Sequence, residues 1–121
     1  MLKCRIIPII LYDGSFAVQT ERYKRPARRL GPVLQYVENM ARRDIDELII
    51  IDITATEERR NPNFDEIKKF TKNLFCPVTY VGGIKNLDDV IMLVKNCGVD
   101  KIVLKTNYSL ISDIAEKFGK Q

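Results

Sequence analysis

Four groups of residues in this chain have the types and the spacing to do chemistry. The run Glu47-Leu48-Ile49-Ile50-Ile51-Asp52 is an apolar strand that releases a carboxylate at its end, followed by the hydroxyls of Thr54 and Thr56. A carboxylate there stands where α/β folds place ligands. Asp52 therefore reads as an acid pointing into the mouth of the fold, or else as a cap on its own loop. Val81-Gly82-Gly83 is a strand broken by two glycines just ahead of a helix. Glycines let backbone N–H groups close on a phosphate with no Cβ in the way, although a tight strand-to-helix turn needs them equally. Lys105-Thr106-Asn107 offers a cation, a hydroxyl and helix-terminal amides to the same anion. Arg5, Glu47 and Lys101 each lie near the start of a strand. A barrel would gather them at its opposite end, where charges usually form a stabilising network.

The chain has no histidine, which removes Ser-His and Cys-His nucleophile systems and histidine-ligated metals. Carboxylates, lysines and backbone amides are left for any chemistry, with Asp13 and Asp52 as the candidate proton-transfer groups. No cofactor is called for. Cys4, Cys76 and Cys97 are odd in number and lack a CxxC spacing, so neither a disulfide frame nor a metal site is expected. They read as reduced, mostly buried residues. The net charge is +4, with many cations between Arg22 and Arg43. Without interleaved aromatics this cluster reads as a solvated face that draws anions, not as a nucleic-acid surface. At 121 residues, 45% hydrophobic and 30% charged, the chain suits one soluble domain. No apolar run approaches the ~20 residues of a membrane span, and the start carries no cleavage-site pattern. A cytoplasmic protein without membrane contact is expected.

These residues must be positioned by alternating strands and helices. Lys3 to Leu11 is apolar and β-rich, and Tyr12 to Leu30, with the Asp13-Gly14 turn signal, reads as a long functional loop. Pro32 to Arg43 has helical spacing. Glu47 to Ile53 is a strand apolar enough for a parallel sheet buried on both faces. Asn63 precedes a helix over Phe64 to Asn73, with Ile67, Phe70 and Leu74 inward. Val78 to Val81 is a strand, and Asn86 caps a helix whose apolar face is Leu87, Val90, Ile91 and Val94. Cys97-Gly98 ends it; Lys101 to Leu104 and Ser109 to Phe118 follow as strand and helix. Four βα units on a parallel sheet result. A faint repeat aligns Asp46 to Asp52 with Asp100 to Thr106.

The strand ending in Asp52-Ile53-Thr54-Ala55 and the Val81-Gly82-Gly83 turn, in this order and at this distance, resemble the cyclase subunit of imidazole glycerol phosphate synthase. That family has a (β/α)₈ TIM-barrel fold and works in histidine biosynthesis. The similarity runs from Arg5 to Gly119, about the first half of a barrel of ~250 residues. The resemblance implies a (βα)₄ half-barrel as a single domain over residues 1–121. It implies a phosphorylated small-molecule substrate, one phosphate of which rests on Gly82, Gly83, Lys105 and Thr106, and a glutamine amidotransferase subunit as partner. The family has Asn where this chain has Lys105. Arg5, Glu47 and Lys101 match three of the four residues that ring the family's ammonia entrance, and Asp46 and Asp100 would face the partner.

The chain also departs from the family. A general acid-base aspartate is expected three residues before the Asp of Asp-Gly, where Ile10 stands between Ile9 and Leu11. A lysine expected after Asp-Gly is replaced by Val18-Gln19-Thr20. An isoleucine exchanges no protons, which removes a factor of roughly 10²–10⁴, so the chain alone should not close an imidazole ring. Three readings compete: a half-barrel without full activity, a paralogue using glutaminase-derived ammonia in cell-surface sugar biosynthesis, and a non-enzymatic phosphate-binding scaffold. A half-barrel has open edges on its first and fourth strands and a bare inner face, so a homo-oligomer is expected if the chain is complete.

Overall fold

Residues 4–19, 28–55, 60–72, 74–104 and 110–118 are described by a computed structural model. The elements, in chain order, are β1 (Ile9–Tyr12), β2 (Phe16–Gln19), β3 (Arg28–Pro32), α1 (Val33–Ala41), β4 (Leu48–Asp52), α2 (Phe64–Lys72), β5 (Val78–Val81), α3 (Leu87–Ile91), β6 (Lys101–Val103) and α4 (Leu110–Phe118). They form one six-stranded sheet of order β3-β2-β1-β4-β5-β6. The four strands β1, β4, β5 and β6 are parallel. This is the (βα)₄ half of a TIM barrel.

Side chains alternate across a strand, and here the two faces differ in cover. Ile10, Leu48, Ile50, Val78 and Tyr80 are buried against Val33 and Val37 of α1, Ile67 and Phe70 of α2, and Val90 and Leu93 beyond. The opposite face carries two layers set by the strand register, Ile9–Ile49–Thr79–Lys101 and Leu11–Ile51–Val81–Val103. Exposure on it falls from the flanks (Ile9 56%, Val103 44%) to the middle (Thr79 7%, Val81 8%), as on a sheet curved toward this side. This is the face that lines the interior of a barrel.

Two expectations are corrected. The stretch read as a loop from Tyr12 to Leu30 contributes the antiparallel strands β2 and β3. Its polar residues mask a short apolar run, Phe16-Ala17-Val18, in which the adjacent Ala17 and Val18 are both buried at a bulge in the β2–β3 pairing. The first strand's outer edge is therefore partly covered, because Tyr12 pairs with Ala17. In the third helix, Asn86 caps as expected, its side chain accepting from the Asp89 N–H at 3.0 Å. From Met92 to Asn96, however, the helix opens into a π-helical turn, and Leu93 and Cys97 reach the core. Gly98, at φ +76°, ends it. Of the cysteines, Cys97 is buried, Cys76 half-buried and Cys4 exposed, the last against expectation; all three are free thiols.

The faint repeat has a structural counterpart. Asp46 donates its N–H to the Ile6 carbonyl (2.9 Å), and its carboxylate accepts the Ile6 N–H (2.6 Å). Asp100 does the same with Val78, at 2.9 and 2.8 Å. Each aspartate pins the start of the neighbouring strand. Each carboxylate gives one oxygen to the backbone of the neighbouring strand.

Candidate functional site

At the carboxyl ends of the strands the hub is Asp52, on the same face as Leu48 and Ile50. Its side chain is fully buried, not open to the barrel mouth, which corrects the orientation expected from sequence. Oδ1 accepts the N–H groups of Thr54 and Ala55 and the Thr54 hydroxyl, each at 3.1 Å. The Arg60 guanidinium donates to the same oxygen at 2.7 Å. The Thr54 hydroxyl also lies 2.9 Å from the Asp13 carbonyl, and the Arg60 guanidinium also reaches that hydroxyl. Asp52 thus caps its own loop and ties it to the start of the β1–β2 turn. Among the described residues, Asp52 Oδ2 and the Tyr80 hydroxyl are buried without a hydrogen-bond partner.

Asp13 organises the adjoining turn. Oδ1 accepts from the N–H groups of Ser15 (2.9 Å) and Phe16 (2.8 Å), and Oδ2 accepts from Arg29 Nε at 2.9 Å. Arg29 in turn stacks over the Phe16 ring, 4.6 Å from its centre. Burial pushes the Asp13 carboxyl up, but these N–H groups and the guanidinium outweigh it and hold it below the usual carboxylate value. A carboxylate so engaged is a poor proton donor near neutral pH, and the geometry gives Asp13 a turn-forming role instead. Behind it, the Tyr12 hydroxyl sits between the Glu66 carboxylate and, at 2.8 Å, the Gly14 carbonyl. Asn63 donates to that carbonyl at 3.3 Å.

Packing alone requires both glycines of the Gly82-Gly83 turn. A Cβ on Gly82 would stand 2.6 Å from the Asp52 carbonyl oxygen, and one on Gly83 would stand 2.7 Å from the Ala55 Cβ. Both have positive φ, +126° and +69°. Lys105 and Thr106, the other phosphate candidates, lie outside the described residues, as does Thr56.

The strand starts hold the second cluster. Glu47 Oε1 accepts from Lys101 Nζ at 2.8 Å and from Arg5 at 3.4 Å. Residue parity places all three on the barrel-lining face, Lys101 at the edge of the Ile9–Ile49–Thr79–Lys101 layer and Arg5 and Glu47 below it. The hydrogen bond from Lys101 outweighs burial and, with the Lys101 and Arg5 charges, holds Glu47 below the usual carboxylate range. The two cations remain more than half exposed, so the cluster forms a charged rim at the foot of an apolar face.

Sequence reasoning missed Arg60 and the Tyr12–Glu66 contact. An arginine eight residues past a strand-end aspartate carries no local signal, since only the returning loop brings them together. It also chose the wrong position on β1. Ile10 is buried beneath the helices, and Leu11 is the residue that enters the barrel-lining layer at the strand's carboxyl end. The conclusion is unchanged, because neither residue titrates. Among the described residues, no three Cys, Asp or Glu side chains are grouped to hold a metal, and no helix is long and apolar enough to cross a membrane.

The histidine biosynthesis protein family, whose fold is a TIM barrel, matches residues 5–121. A relative in Dictyoglomus thermophilum named imidazole glycerol phosphate synthase subunit HisF is 36% identical over the whole chain and 49% of its own length. Proteins provisionally named imidazole glycerol phosphate synthase subunit hisF2 are similar over the whole chain as well. The one in Pseudomonas aeruginosa is 33% identical, with 49% of its length covered; the one in Vibrio vulnificus is 36% identical, with 45% covered. The chain spans about half the length of the curated relatives it matches. With its parallel strands, its loop hub at Asp52 and its charged rim, it belongs to the histidine biosynthesis protein family, among the relatives of the imidazole glycerol phosphate synthase cyclase subunit.

Proposed function

We propose that residues 1–121 form one half-barrel domain of an ammonia-using, cyclase-type enzyme of the cytoplasm. It acts on a phosphorylated small molecule and is fed by a glutamine amidotransferase subunit docked at the strand starts. The observation that carries this reading is the Arg5–Glu47–Lys101 cluster at the foot of the barrel-lining face. Above it stand Ile9, Ile49, Leu11, Ile51 and Val81, with Thr79 the only polar residue that is not charged in the two layers. Ammonia is small and neutral and crosses such layers at little cost, whereas ammonium would be held at the rim. Gly82, Gly83, Lys105 and Thr106 would hold a phosphate at the far end. With Leu11 at the end of β1, and Asp13 and Asp52 both engaged, neither candidate acid is free for proton transfer, and the domain does not by itself close an imidazole ring.

The same leucine favours a second reading, a paralogue that delivers ammonia to a different acceptor in cell-surface sugar biosynthesis. Ammonia-dependent turnover of a phosphorylated or nucleotide-linked sugar would select it. The general reading is tested by mixing the chain with the glutaminase subunit of an imidazole glycerol phosphate synthase. Glutamine hydrolysis should rise, and Glu47→Gln, which removes the rim's central charge, should cut the rise several-fold. No stimulation by the parent chain rejects the docking role.

A further inference from the structure

Between α2 and β5 the chain is tied down on both sides of one bare aromatic. The Leu74 N–H donates to the Thr71 carbonyl at 3.2 Å, and the Pro77 carbonyl accepts the Leu48 N–H at 3.0 Å. The Val78 N–H is taken by the Asp100 carboxylate at 2.8 Å. Within this short stretch Leu74 and Cys76 both pack against the apolar core. With its two neighbours turned in, Phe75 is turned out, and at 103% its side chain is wholly in solvent. The other exposed large apolar side chains among the described residues are aliphatic, and none of them is exposed beyond 56%. This exposure does not arise at a sheet edge. β5 is paired on one side with β4 and on the other with β6, so both strands that flank the turn are in place.

The turn lies at the same end of the sheet as the charged cluster. Leu48 stands opposite Val78, and Thr79 opposite Lys101, so Glu47 and Lys101 begin their strands at the level where Phe75 leaves the sheet. Cys76, beside the ring, is close enough to feel the carboxylates there. Burial most of all, and then the charges of Asp100, Glu47 and Asp46, push its thiol up. A rigidly held aromatic set among charges has the make-up of an interface centre with a polar rim. Serine or lysine would serve a solvated turn at no hydrophobic cost, whereas a phenylalanine gains only when its ring is covered. We propose that Phe75 is the apolar anchor that holds the glutamine amidotransferase subunit, its ring entering an apolar pocket on that subunit beside the Arg5–Glu47–Lys101 cluster. The proposal rests on the docking reading above and adds a division of labour. Phe75 sets how tightly the subunit is held, and the charged cluster sets how strongly it responds.

The test titrates the chain into the glutaminase subunit of the same organism, reading affinity by calorimetry and response by glutamine hydrolysis. Phe75→Ser should raise the dissociation constant, and the chain concentration for half-maximal stimulation, by about tenfold or more. The maximal stimulation at high concentration should change far less, and Phe75→Leu should keep most of the affinity. Glu47→Gln should show the opposite split, a lower maximum at a similar half-maximal concentration. Urea unfolding of the isolated Phe75→Ser chain should match the parent, because the ring touches no core residue. If the parent chain stimulates hydrolysis and Phe75→Ser binds equally well, the anchor is overturned while the docking reading stands. A parent chain that neither binds nor stimulates overturns both. A Phe75→Ser chain with a lowered unfolding midpoint, or one that loses only self-association in sedimentation, also overturns the anchor.

Discussion

Two buried tyrosines on the helix-facing side of the sheet separate hydrogen bonding from burial. Both hydroxyls are pushed up in pKa chiefly by burial, yet Tyr12 faces the Glu66 carboxylate and Tyr80 has no partner among the described residues. A hydrogen bond to a charged group contributes ~1.5–3 kcal/mol, and an unpartnered buried hydroxyl contributes nothing favourable. Tyr12→Phe should therefore lose about 2 kcal/mol in urea unfolding, while Tyr80→Phe should stay within ~0.5 kcal/mol or gain. Asp13 sets an acid limit. Its folded pKa is depressed, so its stabilisation is complete above the unfolded value of ~3.9 and is lost as pH falls through the lower folded value. Asp13→Asn should flatten the acid limb of a Tm-against-pH curve; an identical acid limb would show that the turn is not held by this charge. Asp52 with Arg60 is the most vulnerable residue pair. Removing one partner of a buried ion pair costs ~3–5 kcal/mol, so Arg60→Ala, measured by thermal unfolding, should be among the most damaging single changes outside the apolar core.

At the scale of elements, strands are placed by contacts at their ends as well as by their ladders. Asp46 and Asp100 hold the starts of β1 and β5 through the same two bonds. Asp46→Ala and Asp100→Ala should each cost roughly 1–2 kcal/mol, nearly equally, since the local geometry is the same; a difference above ~1 kcal/mol would undo the equivalence of the two bond pairs. The other strand end is fixed by close approach. Gly82→Ala puts a methyl 2.6 Å from the Asp52 carbonyl oxygen at a φ of +126°, so the strand pair β4–β5 must part. A loss of several kcal/mol is expected on denaturation, without any ligand present. This is also why a bulky change at Gly83 is an unsuitable probe of phosphate binding. Its Cβ would strike Ala55 before it met a ligand.

For the whole molecule, the anion site is better probed at Lys105, whose side chain no packing argument above requires. Phosphorus NMR titration with ribose 5-phosphate should show weak binding that Lys105→Ala reduces several-fold and that rising salt weakens further. Unchanged affinity would move the phosphate elsewhere. Catalysis gives the complementary expectation: the chain with ammonia and the histidine-pathway bis-phosphate should yield no product. Clear turnover by the pure chain would mean that some titrating group other than a β1 residue handles the proton.

Much of this protein is local in origin and so legible in sequence. Apolar runs bounded by Gly, Asn and Pro mark β4, β5 and the start of α3 to within a residue or two, because strand and helix periods and caps are short-range properties. Arg5, Glu47 and Lys101 gather because each sits at a strand start in a parallel sheet, so their meeting follows from topology alone. What the tertiary structure decided depends on how loops return. Asp52 turns beneath the helices because Arg60 and two backbone amides meet it there, and Leu11, not Ile10, enters the barrel-lining layer because strand register sets the parity of β1. The β2–β3 ribbon forms because Asp13 can bind Arg29 across sixteen residues. The same glycines that suggest a phosphate turn are fixed first by an oxygen of a neighbouring strand. Such contacts join residues far apart in the chain, and no local pattern of residue types encodes them.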